Sequence, residues 1–129
     1  MNPQVLVVED EVDHLAAVRL TLKLSGYDVW DALSGEDALA VLEERSPNAI
    51  VLDIRLPGID GLEVFRRLRA HTRLATVPVV LCSAHADAAE RTAMGDDDLA
   101  CFLAKPYHPN DLIDVLGDVM ARARVQEPT

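Results

Sequence analysis

The sequence predicts an α/β domain in which helices cover both faces of a five-stranded parallel sheet. Short β-branched runs alternate along the chain with segments of helical period, the pattern of repeated strand–helix units. Three of those runs are continuously apolar, as strands buried on both faces must be. At 129 residues, half of them apolar, the chain has enough material for one core and almost none for a second. We therefore expect a single domain over 1–129, with its core at about 4–124.

The first strand is read at Val5 to Val8, and Leu15, Val18 and Leu22 then recur at helical spacing. A second strand, Asp28 to Ala32, is followed by Ser34 and Asp37 at the spacing of a capping box and by the stripe Ala38, Leu39, Leu42. The third strand is Ala49 to Leu52, after which Asp60 and Glu63 mark another helix start and Leu62, Phe65 and Leu68 its inner face. Val79 to Cys82 forms the fourth. The next segment, Asp87 to Leu99, is Ala-rich enough for a helix but is broken by Met94-Gly95 and by Asp96, Asp97 and Asp98, which read as a solvated turn. Phe102 to Ala104 is the fifth strand. Pro109 suits a first helical turn, where its missing N–H would be unpaired anyway, and Leu112, Val115, Leu116 and Val119 form the last stripe. The polar tail Gln126 to Thr129 is expected to fray.

Bulk chemistry narrows the function. A net charge of −10 and an isoelectric point near 4.6 argue against a nucleic-acid surface, which needs clustered Lys and Arg to displace counterions from phosphates. Cys82 and Cys101 lie in apolar stretches without metal-ligand spacing, so they read as small buried hydrophobes in a reducing cytoplasm. The N-terminal segment lacks the basic start and long apolar core of a secretion signal, and no apolar run approaches the length of a membrane span.

Right-handed crossovers in a parallel sheet point every strand end that leads into a helix the same way, so residues following the strands share one rim. Glu9, Asp10 and Glu11 follow the first strand, Asp53 the third, Ser83 the fourth and Lys105-Pro106 the fifth. Carboxylates gathered there repel: two charges about 4 Å apart at an effective dielectric of about 20 cost roughly 4 kcal/mol. A cation must occupy the gap. With no His or Cys in the cluster, an all-oxygen site suits Mg2+ better than Zn2+, and Lys105 supplies a second positive charge. So neutralised, one carboxylate can act as a nucleophile toward a phosphoryl donor, giving an aspartyl phosphate. The Ser83 hydroxyl can then turn and donate a hydrogen bond to that new dianion.

Four segments in this order carry a family resemblance: Val-Leu-Val-Val-Glu-Asp-Glu at 5–11, Leu-Asp-Ile-Arg-Leu-Pro-Gly-Ile-Asp-Gly at 52–61, Leu-Cys-Ser-Ala at 81–84 and Phe-Leu-Ala-Lys-Pro-Tyr at 102–107. Together they resemble the receiver domain of two-component response regulators, over nearly the whole chain from Val5 to about Arg124. The resemblance implies a flavodoxin-like, doubly wound (βα)5 fold with strand order 2-1-3-4-5. It implies Asp53 as phosphoacceptor, and Glu9 and Asp10 as the acids that hold Mg2+ together with Asp53 and the backbone carbonyl of Arg55, with Mn2+ as a substitute ion. Lys105 is implied as the site lysine, Ser83 as the hydroxyl that senses the phosphoryl group, and Phe102 as the switch aromatic; Lys105–Pro106 is implied to be a cis peptide. The implied donor is a histidine kinase or phosphotransfer protein. Output is implied through a downstream protein or a homodimer at the last helix–strand–helix face, in the cytoplasm, without nucleic acid or membrane as partner. Catalysis is then limited to the protein's own phosphorylation and dephosphorylation.

Blander readings stand beside these. Asp53 alone reads as a strand-end cap, Glu9 and Asp10 as caps of the first helix, Lys105 as a surface lysine, Ser83 as a helix cap and Phe102 as core. His14, His71, His85 and His108 read as surface or rim residues, and Arg55 and His85, flanking the site, as places to tune hydrolysis. Two departures from the family pattern matter. Glu9 stands where Asp is commoner, its extra methylene allowing metal contact through a water. Ten positions separate Gly95 from Lys105, which predicts a longer or irregular loop before the last strand. Among rival functions, an unphosphorylated docking module would have lost an acid or the lysine, and none is lost. An aspartate-nucleophile phosphatase wants a second Asp where Arg55 stands, and a dinucleotide binder wants a Gly-rich loop after the first strand.

Overall fold

The computed structural model describes residues 2–84 and 88–126. In chain order the elements are β1 (Gln4–Val8), α1 (Val12–Leu24), β2 (Asp28–Ala32), α2 (Gly35–Glu44), β3 (Ala49–Asp53), α3 (Gly61–Ala70), β4 (Val79–Ser83), α4 (Ala88–Met94), β5 (Ala100–Ala104) and α5 (Pro109–Gln126). The strands form one sheet in the order β2-β1-β3-β4-β5, every pairing parallel. This is the architecture the alternating pattern and the resemblance predict.

Alternation along each strand divides the core in two. Leu6 and Val8 of β1 face the side covered by α2 and α3, whereas Val5 and Val7 face α1 and α5. Leu15, Val18 and Leu22 of α1 meet Leu112, Leu116 and Val119 of α5 over Val51 and Val80. Each such side chain contributes about 2 kcal/mol by leaving water. With both faces occupied, the sheet has only its strand ends to offer a ligand, and the carboxyl ends all lie on one rim.

The predicted helix starts are present. Ser34 accepts the N–H of Asp37 at 3.0 Å and Asp60 that of Glu63 at 2.9 Å. Pro109 opens α5, and the exposed ring of His108 accepts the N–H of Asn110 at 3.0 Å. The Glu11 side chain makes no cap bond at the start of α1, while Glu9 Oε2 accepts the Glu11 N–H at 3.4 Å.

Two expectations fail together at the last strand. β5 begins at Ala100 rather than Phe102, because Ala100 and Cys101 pair with Val79 and Val80 of β4. The connection from α4 is therefore the short turn Gly95 to Leu99, not a long loop, with Gly95 at φ 72° closing the helix end. Asp97 is not a solvated acid in that turn. The guanidinium of Arg69 donates to Asp97 Oδ2 at 2.6 Å, to the Val77 carbonyl at 2.7 Å and to the Leu99 carbonyl at 3.2 Å, and Asp97 Oδ1 accepts the Leu99 N–H at 2.9 Å. α3 thus fixes the turn that leads into β5.

Candidate functional site

The parallel winding sets Glu9 and Asp10 just beyond β1, Asp53 and Ser83 as the last residues of β3 and β4, and Lys105 just beyond β5. Glu9 and Asp53 are buried, at 4% and 6% exposure, while Asp10 is open to solvent. Each of these acids offers an oxygen, and those oxygens lie within 4.8 Å of one another. Lys105 Nζ donates to Glu9 Oε1 at 2.9 Å and to Asp53 Oδ2 at 3.0 Å, tying β5 to β1 and β3 across the rim. The other Asp53 oxygen accepts the backbone N–H of Arg55 at 3.1 Å, which holds the start of the β3–α3 loop against the carboxylate. The Lys105–Pro106 bond is cis.

Close approach of backbone holds Asp53 from below. A Cβ on Gly61 would stand 2.2 Å from the Asp53 carbonyl oxygen and 2.7 Å from Ile54 Cα, while the Gly61 N–H donates to the Ile54 carbonyl at 2.9 Å. Backbone cannot yield as a flexible side chain can. Gly61→Ala is expected to destabilise the fold by about 3 kcal/mol in chemical denaturation. An unchanged denaturation midpoint would show that the loop relaxes freely.

The pocket is short of positive charge. Burial, and then the neighbouring Glu9 carboxylate, raise Asp53 from its ordinary 3.8 to about 6. Burial pushes Glu9 upward too, but the hydrogen bond with Asp53 and the Lys105 ammonium outweigh it and bring Glu9 down to about 2. Two carboxylates facing one ammonium leave a net negative site once both ionise. Its donors are hard carboxylate oxygens, which fit Mg2+ rather than a softer ion.

The sequence reading missed Glu90, and it missed the side-chain partners of Arg55 and His14. Glu90 of α4 is 6% exposed and accepts the Ser83 hydroxyl, with Oγ at 3.0 Å from Oε1 and 3.3 Å from Oε2. Arg55 Nε lies 3.7 Å from Glu90 Oε2, so the side chain beside Asp53 leans toward α4. His14 stands at the rim as predicted, yet its Nδ1 bonds Glu9 Oε1, and its Nε2 is 3.4 Å from the hydroxyl of Tyr107. His14's place three residues past Glu11 in α1 was the available hint. Phe102 is half-buried against the α2–α3 side of the core, with the Arg91 guanidinium 5.3 Å from its ring centre. His71 and His108 are exposed, and His85 lies outside the described residues. Cys82 is sealed in the core beneath the site, and burial pushes its thiol up to about 12, in keeping with a packing role. Among the described residues no helix is long and apolar enough to cross a membrane.

Comparison with known proteins agrees with this geometry. Residues 5–117 match the family described as the response regulator receiver domain. The transcriptional regulatory protein PrrA of Mycobacterium tuberculosis is 40% identical over 126 residues, covering 95% of this chain and 49% of that protein. The chain spans about half the length of the curated relatives it matches. Among solved structures, the receiver domain of the Francisella response regulator 1452 superposes with TM-score 0.80 at 26% identity, over 94% of this chain and 98% of that one. The receiver domain of the sensor histidine kinase PA1611 of Pseudomonas aeruginosa superposes at 0.84 with 27% identity, over 94% and 99%; that structure is described with a magnesium ion coordinated in its active site cleft.

Proposed function

The chain belongs to the response regulator receiver family, whose role is phosphorylation-activated signalling, and from that premise we propose that Asp53 accepts a phosphoryl group from a phosphohistidine of a histidine kinase or phosphotransfer protein. The observation that carries this reading is the Lys105 ammonium bridging Glu9 and Asp53, at 2.9 and 3.0 Å, inside an acid cluster completed by Asp10. An Asp53 oxygen attacks phosphorus, the phosphorus–nitrogen bond to the donor imidazole breaks, and the electron pair leaves on that nitrogen. Lys105 balances charge on the incoming phosphoryl oxygens, and the Arg55 N–H keeps the carboxylate oriented.

Glu9, Asp10, Asp53 and the backbone carbonyl of Arg55 are the residues that would hold Mg2+, with Mn2+ as a substitute. Bound there, the ion supplies positive charge against the phosphoryl group. Glu9, with its longer arm engaged by Lys105 and His14, fits contact through water. Ser83 takes the sensing position and Phe102 the switching one, and α4, β5 and α5 form the face read by a downstream protein or a second copy. The whole of 1–129 is then one receiver domain, cytoplasmic, with chemistry directed only at itself.

Incubating the protein with acetyl phosphate and Mg2+ should add one phosphoryl group by intact mass, and hydroxylamine should remove it as expected of an acyl phosphate. Chelation of the metal with EDTA should reduce the addition to background. Equal labelling with and without EDTA would rule the acid cluster out as the metal site.

A further inference from the structure

We propose that Glu90 occupies, in the resting protein, the hydroxyl and the guanidinium that a phosphoryl group on Asp53 would draw away, and so sets how tightly the phosphorylated state is held. The proposal rests on the reading of Asp53 as phosphoacceptor and deepens it.

Ser83 has no exposed surface, and its Oγ points to the Glu90 carboxylate at 3.0 Å. That carboxylate is itself buried, an arrangement that is costly unless donors are arrayed around it. Arg55 touches both acids. Its backbone N–H donates to Asp53 Oδ1 at 3.1 Å, and its Nε reaches to 3.7 Å from Glu90 Oε2. The two anionic centres therefore share Arg55, and Ser83 sits at the end of the strand next to that of Asp53, in register with it through the Asp53–Cys82 pairing.

A serine hydroxyl has one hydrogen, so donation to a phosphoryl oxygen withdraws it from Glu90. A phosphoryl dianion is the more highly charged acceptor, and it draws the Arg55 guanidinium as well. Glu90 then sits in a buried position with its bond to Ser83 gone and its ion pair weakened. Because it belongs to α4, the relief of that cost is movement of α4, and the adjacent Arg91 carries it to the Phe102 ring. Glu90 is a positioning residue, acting through Ser83 rather than on the reacting atoms.

Calorimetric titration of Mg2+-loaded protein with beryllium trifluoride anion, a tetrahedral phosphoryl mimic, tests this. Glu90→Ala is expected to bind the mimic about tenfold tighter than the unsubstituted protein, the scale of one hydrogen bond to a charged group. Glu90→Gln keeps an acceptor oxygen for Ser83 without the charge and should fall between the two. Affinity for Mg2+ alone should be the same in all three. Mimic affinity that is unchanged or weaker in both variants overturns the proposal, including the case where only the melting temperature falls, as a purely structural Glu90 would give. Should Glu90→Ala fail to fold, Glu90→Gln decides by itself. If the unsubstituted protein does not bind the mimic, or Asp53→Asn binds it equally well, the phosphoacceptor reading fails first and takes this one with it.

Discussion

Replacing Asp53 with Asn is expected to abolish phosphoryl incorporation from acetyl phosphate and Mg2+, and to stabilise the metal-free protein at pH 7 by about 2 kcal/mol. The first effect follows because an amide is no nucleophile toward phosphorus, while it keeps the size of the carboxylate and an oxygen for Lys105. The second follows from the sign of the shift. Burial and Glu9 raise Asp53 from 3.8 to about 6, so the folded protein holds this proton more tightly than the unfolded chain does. The stability tied to that proton is complete below the ordinary value and is lost as pH rises through about 6. Asn carries no such loss, so the variant's advantage should open between pH 4 and 6 and stay level above. Glu9 runs the other way, from 4.5 down to about 2, and its contribution disappears only in that acid range. Urea denaturation at several pH values, with and without Mg2+, measures both, and Mg2+ should narrow the gap by restoring charge balance to the unsubstituted site. Labelling that survives in the Asn variant would assign the acceptor elsewhere. A variant no more stable at pH 7 would mean that Glu9 and Asp53 do not crowd one another.

Local signals account for what was legible in the sequence. Val-Leu-Val-Val in β1 and the Ser34 and Asp60 caps are set by neighbours a few residues away, and the structure has them where they were read. The gathering of Glu9, Asp10, Asp53 and Lys105 at one rim was legible for a different reason: a parallel sheet with right-handed crossovers leaves strand ends nowhere else to go. What escaped depends on distant partners. Ala100 and Cys101 have little strand preference of their own and become strand by pairing with β4. Asp97 looked like one of three solvated acids, but its partner Arg69 lies 28 residues earlier on α3. Glu90 is one acid in an Ala-rich stretch, and the sequence carries no sign that it bonds Ser83, seven residues back at the end of β4. His14 differs, since its partner Glu9 is only five residues back, just past the end of β1.

Lys105→Met should damage stability and labelling together, because it keeps most of the apolar stem of the side chain and removes the charge that two buried carboxylates share. Lys105 Nζ is within 3.0 Å of both, and although burial works against its charge, the Glu9 and Asp53 bonds raise its proton affinity above the ordinary 10.5. Its contribution is therefore intact throughout the neutral range and is lost only in strong alkali above that value. Without it, Glu9 and Asp53 face one another uncompensated, and stability at pH 7 should fall by about 3 kcal/mol. Two treatments ought to recover much of that loss: acidification, which protonates Asp53 first because it already stands at about 6, and Mg2+, which replaces the missing charge. The rate of labelling by acetyl phosphate should fall on the order of a hundredfold even at saturating Mg2+, since a donor aimed at the phosphoryl oxygens has gone. These readouts separate the two roles of the lysine. A variant that is destabilised but rescued by Mg2+ in both stability and rate would leave Lys105 as a charge balancer of the resting pocket alone. Rescue of stability without rescue of rate would tie the ammonium to the transfer itself, and that is the outcome its bridge between Glu9 and Asp53 predicts.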